Sequence, residues 1–408
     1  MTNASLRFIH ASDFHLERPL GGMEDVPDPL REIFLEAPFR AAARVFDAAL
    51  REQVDFVLLA GDILRPMAAG PRALVFLVEQ FERLHERNVP IYWATGRSDA
   101  ATRWTDVLHL PPNVHLFAAR QVKRIAYERE GRLRADILGS GAPDGAPLHA
   151  AEFRPTHGHL TIALGHGALD GAAPAHGVHY WALGGKHRRQ VTSARAPVVH
   201  YPGTPQGRSP REAGRHGCTL VQIDEHHLVR TRQIATDVVR WHDERIRLEG
   251  AGTRSALERL LVGRAQSLAA ASPEIEQVVR WKVEVPARLA GEMRRGKWTH
   301  EVLARLRSEF GAHRPGLWSW SLEPERPDGI AEAWYAEETI RGEFLRAMRS
   351  FSAHDAEPLD LPRYLTDEHL AGSLGSAVLL EDPQLRRAVL AEATVLGADL
   401  LSGEEPGA

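Results

Sequence analysis

The chain has 408 residues, of which 43% are hydrophobic and 25% charged, a globular composition that excludes a disordered or fibrous protein. Its formal net charge of -4 gives no overall positive field, so any binding to a polyanion must be local. A single cysteine, Cys218, excludes an internal disulfide. With no signal peptide or membrane span visible, we expect a cytoplasmic protein with Cys218 in its core.

From residue 6 to about 165, short apolar runs alternate with helical stretches. Strands are predicted at residues 6–9, 56–60, 91–94, 160–164 and 180–183, and helices at residues 39–51 and 74–87. Residues 122–138 and 191–235 instead show two-residue alternation, which is typical of strands. The sequence therefore predicts an α/β sandwich of two mixed sheets flanked by helices.

A second unit follows at about residue 238. The pattern predicts strands at 240–248, 278–285 and 317–322, with helices at 254–270 and 300–310 between them. This order indicates a small α+β domain, and the chain from residue 331 onward is predicted to be helical. We therefore expect a first domain over residues 1–236, an α+β domain over 237–326 and a helical C-terminal segment over 327–408.

Metal-ligand residue types follow several of the predicted strands. Because the carboxyl ends of neighbouring strands meet at one edge of a sheet, these residues are expected to share a site. Two aspartates and three histidines would suit Mn²⁺, Fe²⁺ or Zn²⁺. The predicted ligands are Asp13, His15, Asp62, His166 and His187.

Other residues could contribute to this site. His176 or His179 could add a ligand from a loop, and Asp99 could act as a carboxylate ligand, although a helix N-cap before Ala100 is the simpler role for Asp99. A basic tract beside the predicted ligands favours phosphate contact over a merely solvated surface. Its residues are Lys186, Arg188 and Arg189, with Arg208 further along the chain.

Five short motifs in order carry a family resemblance: Asp13-Phe14-His15, Gly61-Asp62, residues 96–99, Gly165-His166 and residues 184–187. They resemble calcineurin-like metallophosphoesterases. Residues 180–184, 201–208 and 237–241 are similar to signatures of the SbcD/YhaO-type DNA-repair exonucleases within that family. The resemblance implies a four-layer sandwich with two metals, then a small capping domain. It also implies DNA as substrate, a partner ATPase of the SbcC/YhaN type and a homodimer.

The resemblance also assigns roles to residues. It implies a complete first metal site made of Asp13, His15, Asp62 and His187. For the second metal it leaves only Asp62 and His166, because Arg97 and Gly185 stand where the family has an asparagine and a histidine. Ser98 stands at the position of the family's catalytic histidine, so no catalytic residue is intact there. Because glycine has no donor atom and arginine stays protonated, we expect one ion per chain, Mn²⁺ before Fe²⁺ or Zn²⁺.

Two functions are compatible with this pattern. In the first, the chain is a DNA-repair exonuclease with weakened, one-metal catalysis, in which Arg97 and Lys186 replace the charge of the second cation. In the second, it is an inactive pseudo-nuclease that serves as a module for binding DNA or a partner ATPase. The loss of a metal and of a general acid costs catalysis several kcal/mol, at about 1.36 kcal/mol for each factor of ten in rate.

Overall fold

The structure is a computed structural model. It describes residues 6–23, 26–100, 109–117, 120–142, 144–170, 177–193, 197–248, 252–294, 296–325, 330, 332–353 and 383–401. Contacts between residues divide the chain into two compact units. The first consists of Met1–His242, Ser272–Val278 and Arg314–Gly316, and the second of Asp243–Ala271, Val279–His313 and Leu317–Ala408.

The described part of the first unit contains two six-stranded sheets and a small two-stranded one. Its strands are β1 (Leu6–Ala11), β2 (Phe56–Ala60), β3 (Ile91–Ala94), β4 (Val114–Phe117), β5 (Lys123–Arg129), β6 (Arg132–Ser140), β7 (Leu148–His149), β8 (Thr161–His166), β9 (Leu169–Asp170), β10 (Tyr180–Gly184), β11 (Gln190–Ser193), β12 (Val198–Tyr201), β13 (Gly217–Ile223) and β14 (Val229–Ala235). The order is β14-β13-β1-β2-β3-β4 in the first sheet and β11-β12-β10-β8-β6-β5 in the second. Both sheets contain parallel and antiparallel pairs and are therefore mixed, which confirms the predicted fold class.

Two helices cover the outer face of the first sheet. They are α1 (Asp28–Arg51) and α2 (Pro66–His85), which is kinked at Gly70. Helix α1 begins well before the predicted start at residue 39, because its first turns also bury apolar side chains such as Leu30 and Phe34. Residues of alternate strand positions, including Ile9 and Trp93, pack against these helices.

The interior of the sandwich lies between the two sheets. Phe8 and Phe56 of the first sheet pack there against Ile162 and Tyr180 of the second. The opposite face of the second sheet is covered by the segment that contains Leu148 and a 3₁₀ turn at Ala150–Glu152. Cys218 is buried in β13, and burial raises the pKa of its thiol to about 12. These layers hold the central strands in fixed register, so the loops that follow them are rigidly placed.

The second unit has its own core. Its elements are β15 (Val239–Arg247, whose first four residues belong to the first unit), α3 (Arg254–Ala271), β16 (Glu276–Glu284, whose first three residues belong to the first unit), α4 (Ala287–Arg294), α5 (Lys297–Phe310), β17 (Leu317–Glu325), α6 (Glu332–Tyr335), α7 (Ile340–Ala353) and α8 (Pro383–Leu401). The strands pair in the order β15-β16-β17 over a core that includes Leu257 and Trp281. The predicted alternation of strands and helices is present, with α4 in addition. The division at residues 236 and 326 stays a prediction.

No helix within the described ranges is both long and apolar enough to cross a membrane.

Candidate metal centre

The residues predicted as ligands converge where the parallel strands of both sheets end. Asp13 and His15 follow β1, Asp62 follows β2, His166 ends β8 and His187 follows β10. Ligand atoms of Asp13, His15 and His187 all lie within 4.8 Å of one another, and we call this set the first ligand group. The same distance joins Asp13, Asp62 and His166, the second ligand group.

Three of these residues have an unusual backbone conformation. Asp13, His15 and Asp62 have φ angles of 57°, 45° and 53°, in the left-handed region that residues other than glycine seldom adopt. Two hydrogen bonds between the loops hold them there: the Asp13 N–H donates to the Gly61 carbonyl at 2.9 Å and the His15 N–H to the Asp62 carbonyl at 3.1 Å. Such strain persists only where the surrounding structure enforces it, and it concentrates at functional sites.

The carboxyl ends of β2 in the first sheet and β10 in the second sheet lie very close to each other. A Cβ atom on Gly184, the last residue of β10, would lie 1.8 Å from the carbonyl oxygen of Ala60 at the end of β2. Only glycine therefore allows β10 to come this near to β2. The close approach brings ligands of the second sheet within reach of those of the first.

Each histidine of the site has an oxygen near its Nδ1 atom. His166 Nδ1 lies 2.8 Å from the Ala60 carbonyl oxygen and His187 Nδ1 lies 2.5 Å from Glu212 Oε1. Because these oxygens only accept hydrogen bonds, both rings must carry their proton on Nδ1, which leaves Nε2 free to bind a cation. His15 Nδ1 lies 3.7 Å from Glu17 Oε1.

The two aspartates are oriented by hydrogen bonds as well. Asp13 Oδ2 accepts from the Ser12 hydroxyl at 2.6 Å and from the Gly185 N–H at 2.9 Å. Asp62 Oδ1 accepts from the Ser98 N–H at 2.8 Å. Asp62 Oδ2 lies 3.6 Å from His166 Nε2 and 3.8 Å from His15 Nε2. In each carboxylate, one oxygen is thus occupied by hydrogen bonds from neighbouring residues, and the other is available to a metal ion.

These residues fit a divalent cation. Both ring nitrogens of His15 are buried and have no hydrogen-bond partner among the described residues, so the ring lacks the contacts that burial normally requires. Burial alone would lower the pKa of His166, but the Asp13 and Asp62 carboxylates outweigh burial and raise it. The same carboxylates give the site the negative charge that attracts a metal ion, and its carboxylate and imidazole donors suit Mn²⁺, Fe²⁺ or Zn²⁺.

The substituted positions lie around the second ligand group. Gly185 has φ = 94°, and a Cβ atom there would lie 3.3 Å from His166 Nε2. Ser98 contacts Asp62 through its backbone, while Arg97 is exposed beside Gly145. The resemblance left this group two protein ligands, whereas the geometry adds Asp13 as a third.

Three of the predicted phosphate-binding residues contact different neighbours. Lys186 donates to Gln190 Oε1 at 2.7 Å and lies over the Tyr201 ring. Arg188 and Arg189 are exposed and donate to the Arg211 carbonyl and the Thr231 hydroxyl, respectively.

Arg208 differs from the other basic residues. Its Nη1 and Nη2 atoms are buried and have no hydrogen-bond partner among the described residues. Burial lowers the pKa of its guanidinium, while the nearby Glu212 and Asp13 carboxylates oppose this shift. Arg208 is therefore the predicted phosphate-binding residue that best fits an anion beside the metal site.

The alternative ligands have other contacts. The buried Asp99 carboxylate accepts hydrogen bonds from the Ile63 and Gly96 N–H groups and the Trp93 indole, and burial raises its pKa to about 6. Asp99 belongs to neither ligand group. The His179 Nδ1 atom accepts a hydrogen bond from the Thr161 N–H, and its ring packs on His227. His176 lies outside the described residues.

Glu17, Glu212 and Ser12 were not among the residues predicted from the sequence. Glu17 is two positions from His15, and this short spacing is a signal from which a contact between the two side chains could have been predicted. Glu212 is 25 positions from His187, and no local pattern connects them.

The sandwich of two mixed sheets, with carboxylates and imidazoles at its strand ends, is the fold expected of a metallophosphoesterase. The sequence profile of the calcineurin-like phosphoesterase family matches residues 6–188. Over these residues the chain is therefore similar to a calcineurin-like metallophosphoesterase domain.

Two relatives support this assignment. An uncharacterized metallophosphoesterase, YhaO, of Bacillus subtilis (strain 168) is 34% identical over 273 residues, which cover 63% of this chain and 66% of YhaO. The DNA double-strand break repair protein Mre11 of Archaeoglobus fulgidus is 26% identical over 119 residues, or 29% of this chain and 25% of Mre11. The chain thus matches just under two thirds of the first relative and a quarter of the second.

Proposed function

We propose that this chain is a metal-dependent phosphodiesterase of the SbcD/YhaO type that acts on DNA, with weakened catalysis and one tightly held ion. The observation that carries the proposal is the first ligand group, near which the buried terminal nitrogens of Arg208 have no hydrogen-bond partner among the described residues. DNA is the proposed substrate because the Archaeoglobus relative is named a DNA double-strand break repair protein and the motifs resemble that branch of the family.

The cation would be held by Asp13, His15 and His187, with Asp62 nearby, and Mn²⁺ is the proposed metal. Bound there, it would polarise the phosphate and lower the pKa of a water molecule, the usual contributions of a metal in phosphodiester hydrolysis. The left-handed loops fix the donors in advance, so little reorganisation accompanies binding.

Arg208 has the complementary role of holding the phosphate. A guanidinium presents two parallel N–H donors that match two phosphate oxygens. Since its terminal nitrogens are already buried and unpaired among the described residues, a phosphate would replace no existing hydrogen bond there. Arg97, Lys186, Arg188 and Arg189 are more exposed or paired elsewhere and would contact the DNA backbone at the rim.

Protonation of the leaving group is the weak step. A positioned general acid usually contributes a factor of about 10²–10⁴, and a serine hydroxyl at position 98 cannot replace a histidine in that role. We therefore expect slow cleavage.

A second candidate function is favoured by Ser98 and Gly185. The site could bind a cation and DNA without cleaving, which would make the chain a pseudo-nuclease that presents DNA to a partner.

Partners also follow from the proposal. Leu385, Val389, Leu396 and Leu400 are exposed along α8 at spacings of four and seven residues, which favours a coiled-coil partner such as an SbcC/YhaN-like ATPase. Exposed Leu35 and Val75 on α1 and α2 support a homodimer. We also propose a cytoplasmic location, a capping domain over residues 237–326 and a helical segment over 327–408.

The first experiment is Mn²⁺-dependent hydrolysis of end-labelled linear DNA by the full chain. We expect slow cleavage that disappears in His187→Ala. The matched control is His226→Ala, whose side chain is 84% exposed on a turn outside both ligand groups and should leave cleavage unchanged. No cleavage by the native chain while it still retains DNA in a binding assay would establish the pseudo-nuclease instead.

A further inference from the structure

Two histidines of the first ligand group each have a glutamate behind the ring, one with a buried side chain and one partly buried. Glu212 Oε1 lies 2.5 Å from His187 Nδ1, and Glu17 Oε1 lies 3.7 Å from His15 Nδ1. Both glutamates are on the side of the ring away from the nitrogen left for a cation. The third histidine of the site, His166, has only the neutral Ala60 carbonyl in this place.

Glu212 is held in position from several directions. It ends a 3₁₀ turn at Pro210–Glu212, its Oε2 accepts the Arg208 N–H at 2.8 Å, and its carbonyl oxygen lies 2.8 Å from His216 Nε2. Because both carboxylate oxygens and the carbonyl oxygen are engaged in this way, Glu212 is an acceptor with a fixed orientation.

Glu17 shows a similar arrangement. Its side chain is only 4% exposed, and its Oε2 accepts the Arg65 N–H at 3.0 Å. The remaining oxygen, Oε1, is buried without a hydrogen-bond partner among the described residues, as is His15 Nδ1, which it faces. A donor and an acceptor that are both buried and unsatisfied 3.7 Å apart need only a small movement to form a hydrogen bond.

We infer that Glu17 and Glu212 are positioning residues that hold His15 and His187 with the proton on Nδ1, and thereby set the affinity of the first ligand group for a divalent cation. The physical reason is that an anionic acceptor fixes the tautomer and rotation of an imidazole and makes its other nitrogen a stronger donor to a metal. Loss of such a partner typically weakens metal binding by about 10–100-fold. The inference rests on the metal-binding part of the proposed function and not on the DNA substrate.

The test measures cation affinity directly, by competition between the full chain and a chromophoric chelator for Mn²⁺ and Zn²⁺. We expect Glu17→Gln and Glu212→Gln each to raise the dissociation constant by about 10–100-fold. Glutamine keeps the size and the acceptor oxygen but removes the charge. The matched control is Glu52→Gln, since Glu52 is also paired, with Arg7 and Arg232, but lies outside the site; its affinity should equal that of the native chain.

A second measurement separates positioning from simple structural damage. Nitrogen-15 shifts of the histidine rings in the metal-free chain should show the Nδ1–H form for His15 and His187, and a mixture of tautomers for the affected ring in each variant. If a glutamine variant does not fold, Glu17→Asp or Glu212→Asp, which shortens the side chain but keeps the charge, should still weaken binding by about tenfold.

The outcomes are distinguishable. Native-like affinity in the folded glutamine or aspartate variants would overturn the positioning role and leave the metal site intact. A native chain that binds neither cation would overturn the metal site itself, and the proposed function with it.

Discussion

The two ligand groups share Asp13 but differ in how the rest of each group is supported. In the first, His15 and His187 have glutamate carboxylates behind their rings. In the second, His166 has a backbone carbonyl behind it. The neighbouring position is Gly185, which has no side chain to bind a metal ion. The two groups contain similar ligand atoms, but the histidines of the first group are held more firmly in place. We therefore expect the first group to bind its cation more tightly.

The largest expected effect comes from the shared carboxylate. Asp13→Ala removes a donor from both groups, so metal content after equilibrium dialysis should fall to near zero, with affinity reduced by more than about 100-fold. Asp47→Ala is the control, because the Asp47 carboxylate forms an exposed pair with Arg83 outside both ligand groups and its loss should leave metal content unchanged. An Asp13→Ala chain with native metal content would show that neither group is the metal site.

A comparison of single histidine variants separates the groups. His187→Ala should remove the tightly held ion and DNA cleavage together, whereas His166→Ala should retain the ion and lose affinity by less than about tenfold. Calorimetric titration with Mn²⁺ gives both values. If His166→Ala proves the more damaging variant, the ranking of the two groups is reversed.

A buried histidine outside both groups provides a contrast. His200 lies between the sheets, its Nε2 atom is 2.9 Å from the Thr219 hydroxyl, and burial, with the charge of Arg189, lowers its pKa to about 3. Burial and His200 also lower the pKa of His10. In the unfolded chain these two histidines take up protons near pH 6.5, whereas in the folded chain they do so only at a lower pH. Their contribution to the free energy of unfolding is therefore fully present above pH 6.5 and is lost as the pH falls toward 3.

We expect His200 alone to remove roughly 2 kcal/mol from the free energy of unfolding between pH 7.5 and pH 5. His200→Gln, which can still bond Thr219 but cannot be protonated, should show a loss smaller by that amount in urea titrations at the two pH values. An equal loss in the native chain and the variant would mean that His200 does not titrate in this way.

The smallest effect concerns the open position of the second group. Gly185→Ala should lower the free energy of unfolding by about 1–2 kcal/mol, because an L-residue is strained at φ = 94°. Gly185→His should have a similar cost and should not add a second ion, since its Cβ would crowd His166 Nε2. Urea unfolding in chelator and metal analysis measure both. A second ion in Gly185→His at native stability would show that the loss of this histidine alone had emptied the second group.

Much of the site could be predicted because strand ends are local features. The runs before Asp13, Asp62 and His166 are apolar and end in glycine or polar residues, and the direction of parallel strands then places the ligands together. The sharing of Asp13 could not be predicted, since it depends on the distance between the two sheets. Glu212 was missed for a similar reason: its contact with His187 is made by a loop whose path the local sequence does not determine.

The hydrogen-bond partners of the basic side chains could not be predicted from the sequence either. Lys186, Arg188 and Arg189 are adjacent to His187 in the chain, yet their side chains bond to Gln190, Arg211 and Thr231. Arg208 is more distant in sequence but interacts electrostatically with Asp13. Position along the chain therefore did not indicate which acceptors these side chains contact, and their role in phosphate binding stays a prediction.

The close approach of Gly184 to Ala60 has a consequence for folding. The donors of each group come from both sheets, so neither group exists until the sheets have docked, and a cation that binds the docked state must favour it over every partly folded one. At a hundredfold excess of free ion over its dissociation constant, this linkage contributes about 2.7 kcal/mol. The metal would then stabilise the contact between the two sheets. Its removal should increase the rate of amide hydrogen exchange in β2 and β10 together.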